Sequence, residues 1–366
     1  MKRMMSGLVA LLLVLCTGIS AHAQGTEWKK LNSEVMSLYR QGHYERAVVA
    51  AKKAVQVAEK AVGPNHPSVA ISLNNLAELH RTQGQYAQAE PLYKRALAIR
   101  EKALGPDHAE VATSLNNLAE LYRAQGQYAL AEPLFQRALA IREKALDPNH
   151  SLVAASLNNL ALLYDSQGQY ALAEPLFQRA LAIWEKILGP DHPDVVPSLD
   201  NLAELYRTQG KYEEAKPLYR RSLVIMEKVL GPDHPGVATS LNNFALLYKN
   251  QGKYTQAEPL YKRSLAISEK TLGTDHPDVA TSLNNLAGLY WEMGNYEKAE
   301  PLYQELSLLY QSLLEKAVRH LSERELGNYL NKFTFSESQD KTLSFARVSD
   351  SKKGTSTCYD NALFYK

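Results

Sequence analysis

The sequence predicts an all-α protein, a solenoid of about seven antiparallel helix pairs, and three observations lead there. The first is a doublet: Asn74-Asn75, Asn116-Asn117, Asn158-Asn159, Asn242-Asn243 and Asn284-Asn285 recur at steps of 42, with Asp200-Asn201 in the one gap. The second is a turn signal at the same step, Gly42, Gly84, Gly126, Gly168, Gly210, Gly252 and Gly294, each followed two residues later by Tyr. The third is apolar spacing in helical time, at i, i+3, i+4 and i+7, on both sides of each glycine. A fixed period of this length belongs to stacked repeats and excludes a single-core globule.

Along the chain, residues 1–23 read as a signal peptide. Lys2-Arg3 form the positive start, Leu8 to Leu15 the apolar run, and Ala21-His22-Ala23 the small-residue cleavage site, which places the mature start at Gln24. That run is too short to span a bilayer comfortably, so no membrane span is expected after cleavage. Bulky Leu15 before Cys16 argues against a lipoprotein signal. Residues 24–66 form a degenerate first repeat around Leu31-Asn32-Ser33, and residues 67–304 form six units of 42.

Within one unit, Leu73, Leu76, Ala77 and Leu79-His80 stripe a first helix, and Ala89, Leu92, Tyr93, Ala96, Leu97 and Ile99 a second. Gln83-Gly84-Gln85 makes the tight turn between them. Gly105-Pro106-Asp107-His108 then stops the second helix and caps the next. Neither stripe can be buried alone, so stability is shared between neighbours. Asp147 replaces the loop glycine in one unit and Thr274 the loop proline in another. Pro197 is expected to perturb the start of its helix. From Glu305 the motif dissolves into capping helices over 305–335, with Leu306, Leu309, Leu313, Ala317 and Leu321 apolar and a capping box at Ser322-Glu323-Arg324-Glu325. Residues 336–366 are a polar tail.

The pattern Asn-Leu-Ala-x-Leu-Tyr-x-x-Gln-Gly-x-Tyr-x-x-Ala-Glu-Pro-Leu-Tyr-x-Arg-Ala-Leu resembles the tetratricopeptide repeat. Leu118, Ala119, Tyr122, Gly126, Tyr128, Ala131, Phe135 and Ala138 take that family's packing positions, and the resemblance covers about residues 27 to 310. The period of 42 and the Gly-Pro-Asp-His-Pro loops at Gly189 and Gly231 are similar to the kinesin-light-chain variety common in bacteria. The resemblance implies a right-handed superhelix whose first helices line a concave groove for a protein or peptide ligand. Gly126–Leu146 and Gly168–Leu188 differ only at Arg142/Trp184 and Ala145/Ile187, as recent internal duplication would leave them. The ending from Cys358 to Lys366 is similar to the segment that joins such repeats to a CHAT protease domain in bacterial proteins. That similarity implies an alternative function, the sensor arm of a caspase-like protease whose catalytic domain is absent or separate, with the tail as a remnant linker.

Charge and chemistry narrow the function. Lys and Arg total 41 against 39 acids, and loss of Lys2 and Arg3 with the leader leaves the two signs equal. Neutralising a phosphate backbone needs a basic surplus, so nucleic acid is not an expected partner. After cleavage Cys358 is the remaining cysteine, which excludes an intramolecular disulfide and a thiolate metal site. His66, His108, His150, His192, His234 and His276 recur one per unit. Spread along one edge they cannot converge on one ion, so loop capping or packing is expected, with no metal and no cofactor. An enzyme gathers unlike groups at one place, whereas this chain distributes the same groups evenly; no catalytic residue is assigned and no enzyme is expected.

The candidate site is therefore a ligand-binding groove. Asn74, Asn116, Asn158, Asn242 and Asn284 map to a groove-facing position, where amides could grip a peptide main chain through donor and acceptor together. The same amides could instead bond from repeat to repeat as a ladder, and the second asparagine of each pair is assigned to structure. Farther along the same helices, Arg81, Arg123, Asp165, Arg207, Lys249 and Trp291 occupy one position in successive units, a row whose character changes as a selective binder requires. Glu78/Arg81, Glu120/Arg123 and Glu204/Arg207 also read as exposed pairs of small stabilising value. Trp291 beside Tyr290 is the expected aromatic anchor, with packing against the cap as its other reading. The expected protein is an exported, periplasmic or secreted bacterial scaffold.

Overall fold

The computed structural model describes residues 25–320. The leader over 1–23, the capping box at Ser322 and the tail from Ser336 with Cys358 lie outside the described residues. Two compact units divide the chain, one ending at Pro190 and one beginning at Asp191.

In the N-terminal unit, α1 (Thr26–Arg40), α2 (Tyr44–Val62), α3 (Pro67–Thr82), α4 (Tyr86–Leu104), α5 (Ala109–Ala124), α6 (Tyr128–Ala145), α7 (Ser151–Ser166) and α8 (Tyr170–Leu188) stack as four helix pairs, each helix packed on the next. The C-terminal unit stacks three pairs, α9 (Val196–Thr208) with α10 (Tyr212–Leu230), α11 (Pro235–Asn250) with α12 (Tyr254–Leu272), and α13 (Pro277–Glu292) with α14 (Tyr296–His320). Among the described residues the structure is all-α, with seven stacked helix pairs, four in one unit and three in the other. No helix among the described residues is long and apolar enough to cross a membrane.

Small residues set the closeness within each pair. Ala77, Ala119 and Ala161 on first helices and Ala89, Ala131 and Ala173 on second helices are fully buried, and Ala203, Ala245, Ala215 and Ala257 repeat this in the C-terminal unit. A side chain of one carbon lets two backbones approach, and the large residue one turn later fills the space that remains. Tyr93, Phe135, Phe177, Tyr219 and Tyr261 play that part at no more than 2% exposure. Burying each such ring contributes about 2–3 kcal/mol.

The turns follow the sequence signals. Gly84 takes φ +71°, the left-handed conformation that L side chains resist, and the next amide, Gln85 N–H, closes the turn on His80 O at 2.8 Å. A histidine caps the start of α3, α5, α7, α11 and α13 and of the turn that leads into α9. Nδ1 of His66, His108, His150, His192, His234 and His276 accepts the backbone N–H two residues on, at 3.0–3.2 Å. The recurrent histidines are N-caps, satisfying a donor that the helix itself leaves orphaned.

The departures also have structural outcomes. Pro197 and its neighbours turn the start of the α9 segment into a 3-10 turn at Pro193–Val195, and the α-helix begins only at Val196. Asp147, in place of the loop glycine, caps its own loop by accepting Asn149 N–H at 2.7 Å. Past Glu305 the second helix of the last unit runs on, α14 extending unbroken from Tyr296 to His320 and burying Leu306, Leu309 and Leu313 along the way.

Candidate functional site

First helices of neighbouring units lie side by side, α3 with α5 and α5 with α7 in the N-terminal unit, α11 with α13 in the C-terminal one. In both units the first helices carry the predicted site residues, in two rows about two turns apart.

The asparagine row is more buried than a groove would leave it. Asn74, Asn116 and Asn242 are buried, whereas Asn158 and Asn284 are half-buried. Oδ1 of Asn74, Asn116, Asn242 and Asn284 is closed to solvent and without a hydrogen-bond partner. This corrects the expectation that Asn74, Asn116 and Asn242 present an open amide: adjacent first helices pack over that position. Bonds that do form run between repeats. Asn75 Nδ2 donates to Asn32 Oδ1 at 2.9 Å, and Asn242 Nδ2 donates to Ser282 Oγ at 3.3 Å. Asn243 stands in the same relation to Asp200. Asn75, Asn117 and Asn243, assigned to structure from the sequence, are half-buried and so more exposed than the first asparagine of their pairs, whereas Asn284 and Asn285 are both half-buried.

The second row is half-buried throughout: Arg81, Arg123 and Asp165 in one unit, Arg207, Lys249 and Trp291 in the other. Its arginines are not the exposed pairs expected. Arg81 Nε donates to Glu78 Oε2 at 2.9 Å, and the same carboxylate oxygen accepts the Tyr93 hydroxyl at 2.7 Å. Arg207, Glu204 and Tyr219 repeat this at 2.8 and 3.0 Å. Burial alone would push both guanidinium groups down; the glutamates' hydrogen bonds and charge outweigh it and hold them above the usual range. Burial, reinforced by the neighbouring carboxylate, pushes the Tyr93 and Tyr219 phenols well up. The tyrosines were missed from the sequence, although each Glu stands 15 residues before one. Glu120 and Arg123 keep the ion pair at 2.8 Å, but Phe135 brings no hydroxyl.

The rest of the row differs in kind. Lys249 reaches across to Glu292 of α13 at 2.8 Å. Trp291 packs edge-on against Tyr296 of α14, ring centroids 5.0 Å apart. Tyr290 is no anchor, since it is buried and donates to Glu258 Oε1 at 2.7 Å. The row thus pairs its charges within the protein and still changes from cation to anion to aromatic along the array.

With that geometry in place, the sequence profile of the tetratricopeptide repeat matches residues 31–102, 69–144, 110–186, 152–223, 198–253 and 242–312. The chain belongs to the tetratricopeptide repeat family. Among solved structures it is similar to nearly identical TPR-like repeats of Podosopora anserina assigned to a kinesin light chain, at 32% identity and TM-score 0.51, over 56% of this chain and 98% of that one. BtubC (BKLC) from P. vanneervenii is similar at 22% identity and TM-score 0.51, over 64% and 91%. A Rap protein solved with Competence and Sporulation Factor is similar at 20% identity and TM-score 0.56, over 79% and 76%. At such identities the last two speak for the fold alone. No curated protein matches the chain.

Proposed function

We propose that this tetratricopeptide repeat protein is a non-catalytic scaffold that holds an extended peptide, or a segment of a partner protein, along the face of its first helices. One observation carries the reading: on a frame that repeats almost residue for residue, the half-buried row Arg81, Arg123, Asp165 and Arg207, Lys249, Trp291 varies. Repeated positions serve packing, and a varying accessible row is where selectivity is written. Backbone contacts come from half-buried amides, Asn158 and Asn284 with Asn75, Asn117, Asn243 and Asn285. The arginines are locked in fork geometry by their own glutamates, so a ligand meets a preorganised donor at little cost in side-chain entropy. The Rap structure, which holds Competence and Sporulation Factor, gives a precedent for ligand binding by this fold. The pattern of Lys2-Arg3, Leu8 to Leu15 and Ala21-His22-Ala23 supports a scaffold that is exported, and sequencing the N-terminus of the exported chain should return Gln24.

The test is positional photocrosslinking in native envelope extract. A photoreactive residue at Asp165 should form an adduct with a partner, while one at Gln136, exposed on the second helix α6, should not. Adducts from Gln136 alone, or equally from both, would move the site off the first helices.

A further inference from the structure

The second helices repeat a closed arrangement on their outer side, and α10 breaks it. In the other units after the first, the fifth residue of the second helix is a glutamate: Glu90, Glu132, Glu174, Glu258 and Glu300. That carboxylate takes the side chain one turn on, Lys94 or Lys262 at 2.7 Å and Gln136 at 3.0 Å. It also accepts the phenol of the following unit, Tyr122 on Glu90 at 3.0 Å and Tyr290 on Glu258 at 2.7 Å. Cation, carboxylate and phenol satisfy one another and leave little for a partner.

In α10 the position is Lys216. Its ammonium sits over the ring of Tyr248 at 5.9 Å, and Arg220 one turn later has no carboxylate to meet. Among the described residues neither Lys216 nor Arg220 takes part in an ion pair. Another turn on, Val224 replaces the alanine of Ala98, Ala140, Ala182 and Ala266, and is 54% exposed. A further turn brings Lys228, whose contact with Asp191 is 3.9 Å where the equivalent Lys270–Asp233 pair closes to 2.6 Å. Four side chains at helical i, i+4, i+8 and i+12 therefore form one stripe about 18 Å long, cation, cation, apolar, cation. Beside it opens a hollow of about 480 Å³, floored by Pro217 and Ile225 and with Asp191 and Glu213 as its acids.

We infer that this face of α10 is a second docking surface, and that its occupant is an acidic protein segment carrying an apolar side chain between carboxylates. Charge complementarity selects the acid: among the described residues Lys216 and Arg220 take part in no ion pair and Lys228 meets Asp191 only at 3.9 Å, and desolvating the three against anything but carboxylates is unfavourable. Val224 and the hollow select the apolar residue, which gives the contact a water-excluding centre. A membrane surface fits less well, because it needs a broad apolar band and this stripe has one exposed apolar residue. Nucleic acid fits less well because the three cations of this one stripe are too few to neutralise the dense, regular charge of a phosphate backbone. The inference rests on the stripe along α10 and does not depend on the first-helix row.

The repeat itself supplies the control variant. Lys216→Glu with Val224→Ala writes into α10 what four other units already fold with, so the variant is expected to be at least as stable as the wild type. The probe is a short fluorescein-labelled peptide of glutamates with leucines at every third or fourth place, read by anisotropy at low salt. Wild-type protein should bind it saturably, and the double variant roughly tenfold or more weakly, with wild-type binding weakening as salt is added. Equal binding by wild type and variant would overturn the inference. So would equal binding of a peptide with lysines in place of its glutamates. Binding to anionic phospholipid vesicles that depends on Lys216, without peptide binding, would replace the protein segment by a membrane and also overturn it.

Discussion

Asp200 stands where the other units after the first place asparagine, and replacing it by asparagine gives a prediction with a sign and a size. The carboxyl is pushed from 3.8 up to about 7, mainly by burial, with Ser222 and Asn243 pulling down and Glu204 pushing up. Oδ1 is closed to solvent and unpartnered. An acid whose pKa is higher folded than unfolded keeps its proton only in the folded state, so ionisation opposes folding. No penalty exists below about pH 4; it grows through the window up to about pH 7 and is constant above. At ~1.36 kcal/mol per unit the ceiling is about 4 kcal/mol. The residue is only half-buried, and relaxation with entering water cuts this to an expected 1–2 kcal/mol, roughly. Asp200→Asn should therefore be more stable than wild type by that amount at about pH 8 and nearly level at about pH 4. The assay is urea unfolding followed by far-UV circular dichroism at both pH values, taking the difference between proteins so that other titrations cancel. A difference independent of pH, or a variant less stable at the higher pH, would refute the reasoning.

Three further outcomes are expected from the same assay. His108→Ala should cost about 1 kcal/mol by losing the cap on Glu110 N–H, while His108→Asn should retain most of it. Arg142 is buried on neutral acceptors, Leu152 O at 3.1 Å and Ser156 Oγ at 2.7 Å, and burial pushes its guanidinium down to about 10. One unit earlier Arg100 has Glu110 at 3.5 Å, so Leu152→Glu should supply the missing carboxylate and stabilise by about 1 kcal/mol; a loss would mean desolvation dominates. Tyr93→Phe removes a hydroxyl bonded to Glu78 and should cost about 1 kcal/mol, whereas Tyr303→Phe removes a buried hydroxyl with no partner and should be neutral or slightly stabilising.

The fold was legible because a repeat states each rule many times. Gly84 and its equivalents mark a turn that needs positive φ, Ala77 and Ala89 a close approach, and His108 and its equivalents a cap, so one unit explains the others. The site was less legible for a physical reason. Periodicity tells which helix face a residue occupies, but not how far the neighbouring helix covers that face. Asn74 and Asn75 are adjacent in sequence and carry the same chemistry, yet one is buried and the other half-buried. The Tyr93–Glu78–Arg81 contact joins two helices, and only the packing of α4 against α3 brings a phenol to an ion pair that reads as exposed on α3 alone.

Where a chain repeats itself, departures carry the information that repetition cannot, and here they gather in one helix pair. The unit of α9 and α10 holds the 3-10 start imposed by Pro197, the carboxyl of Asp200 in the asparagine row, and Lys216, Arg220 and Val224 on the outer stripe. Drift alone would scatter such changes across units, and the near-identical pair α6 and α8 shows how closely copies can agree. Asp200, by the pH argument above, is expected to make its unit less stable above neutral pH, and Lys216 gives up a carboxylate that closes contacts elsewhere. Both changes weaken the local structure, and a stability-neutral history would have removed them. Local rules broken together without a packing gain mark a place kept for something other than packing. On that argument the α9–α10 unit, more than either end of the array, is where a partner should be sought.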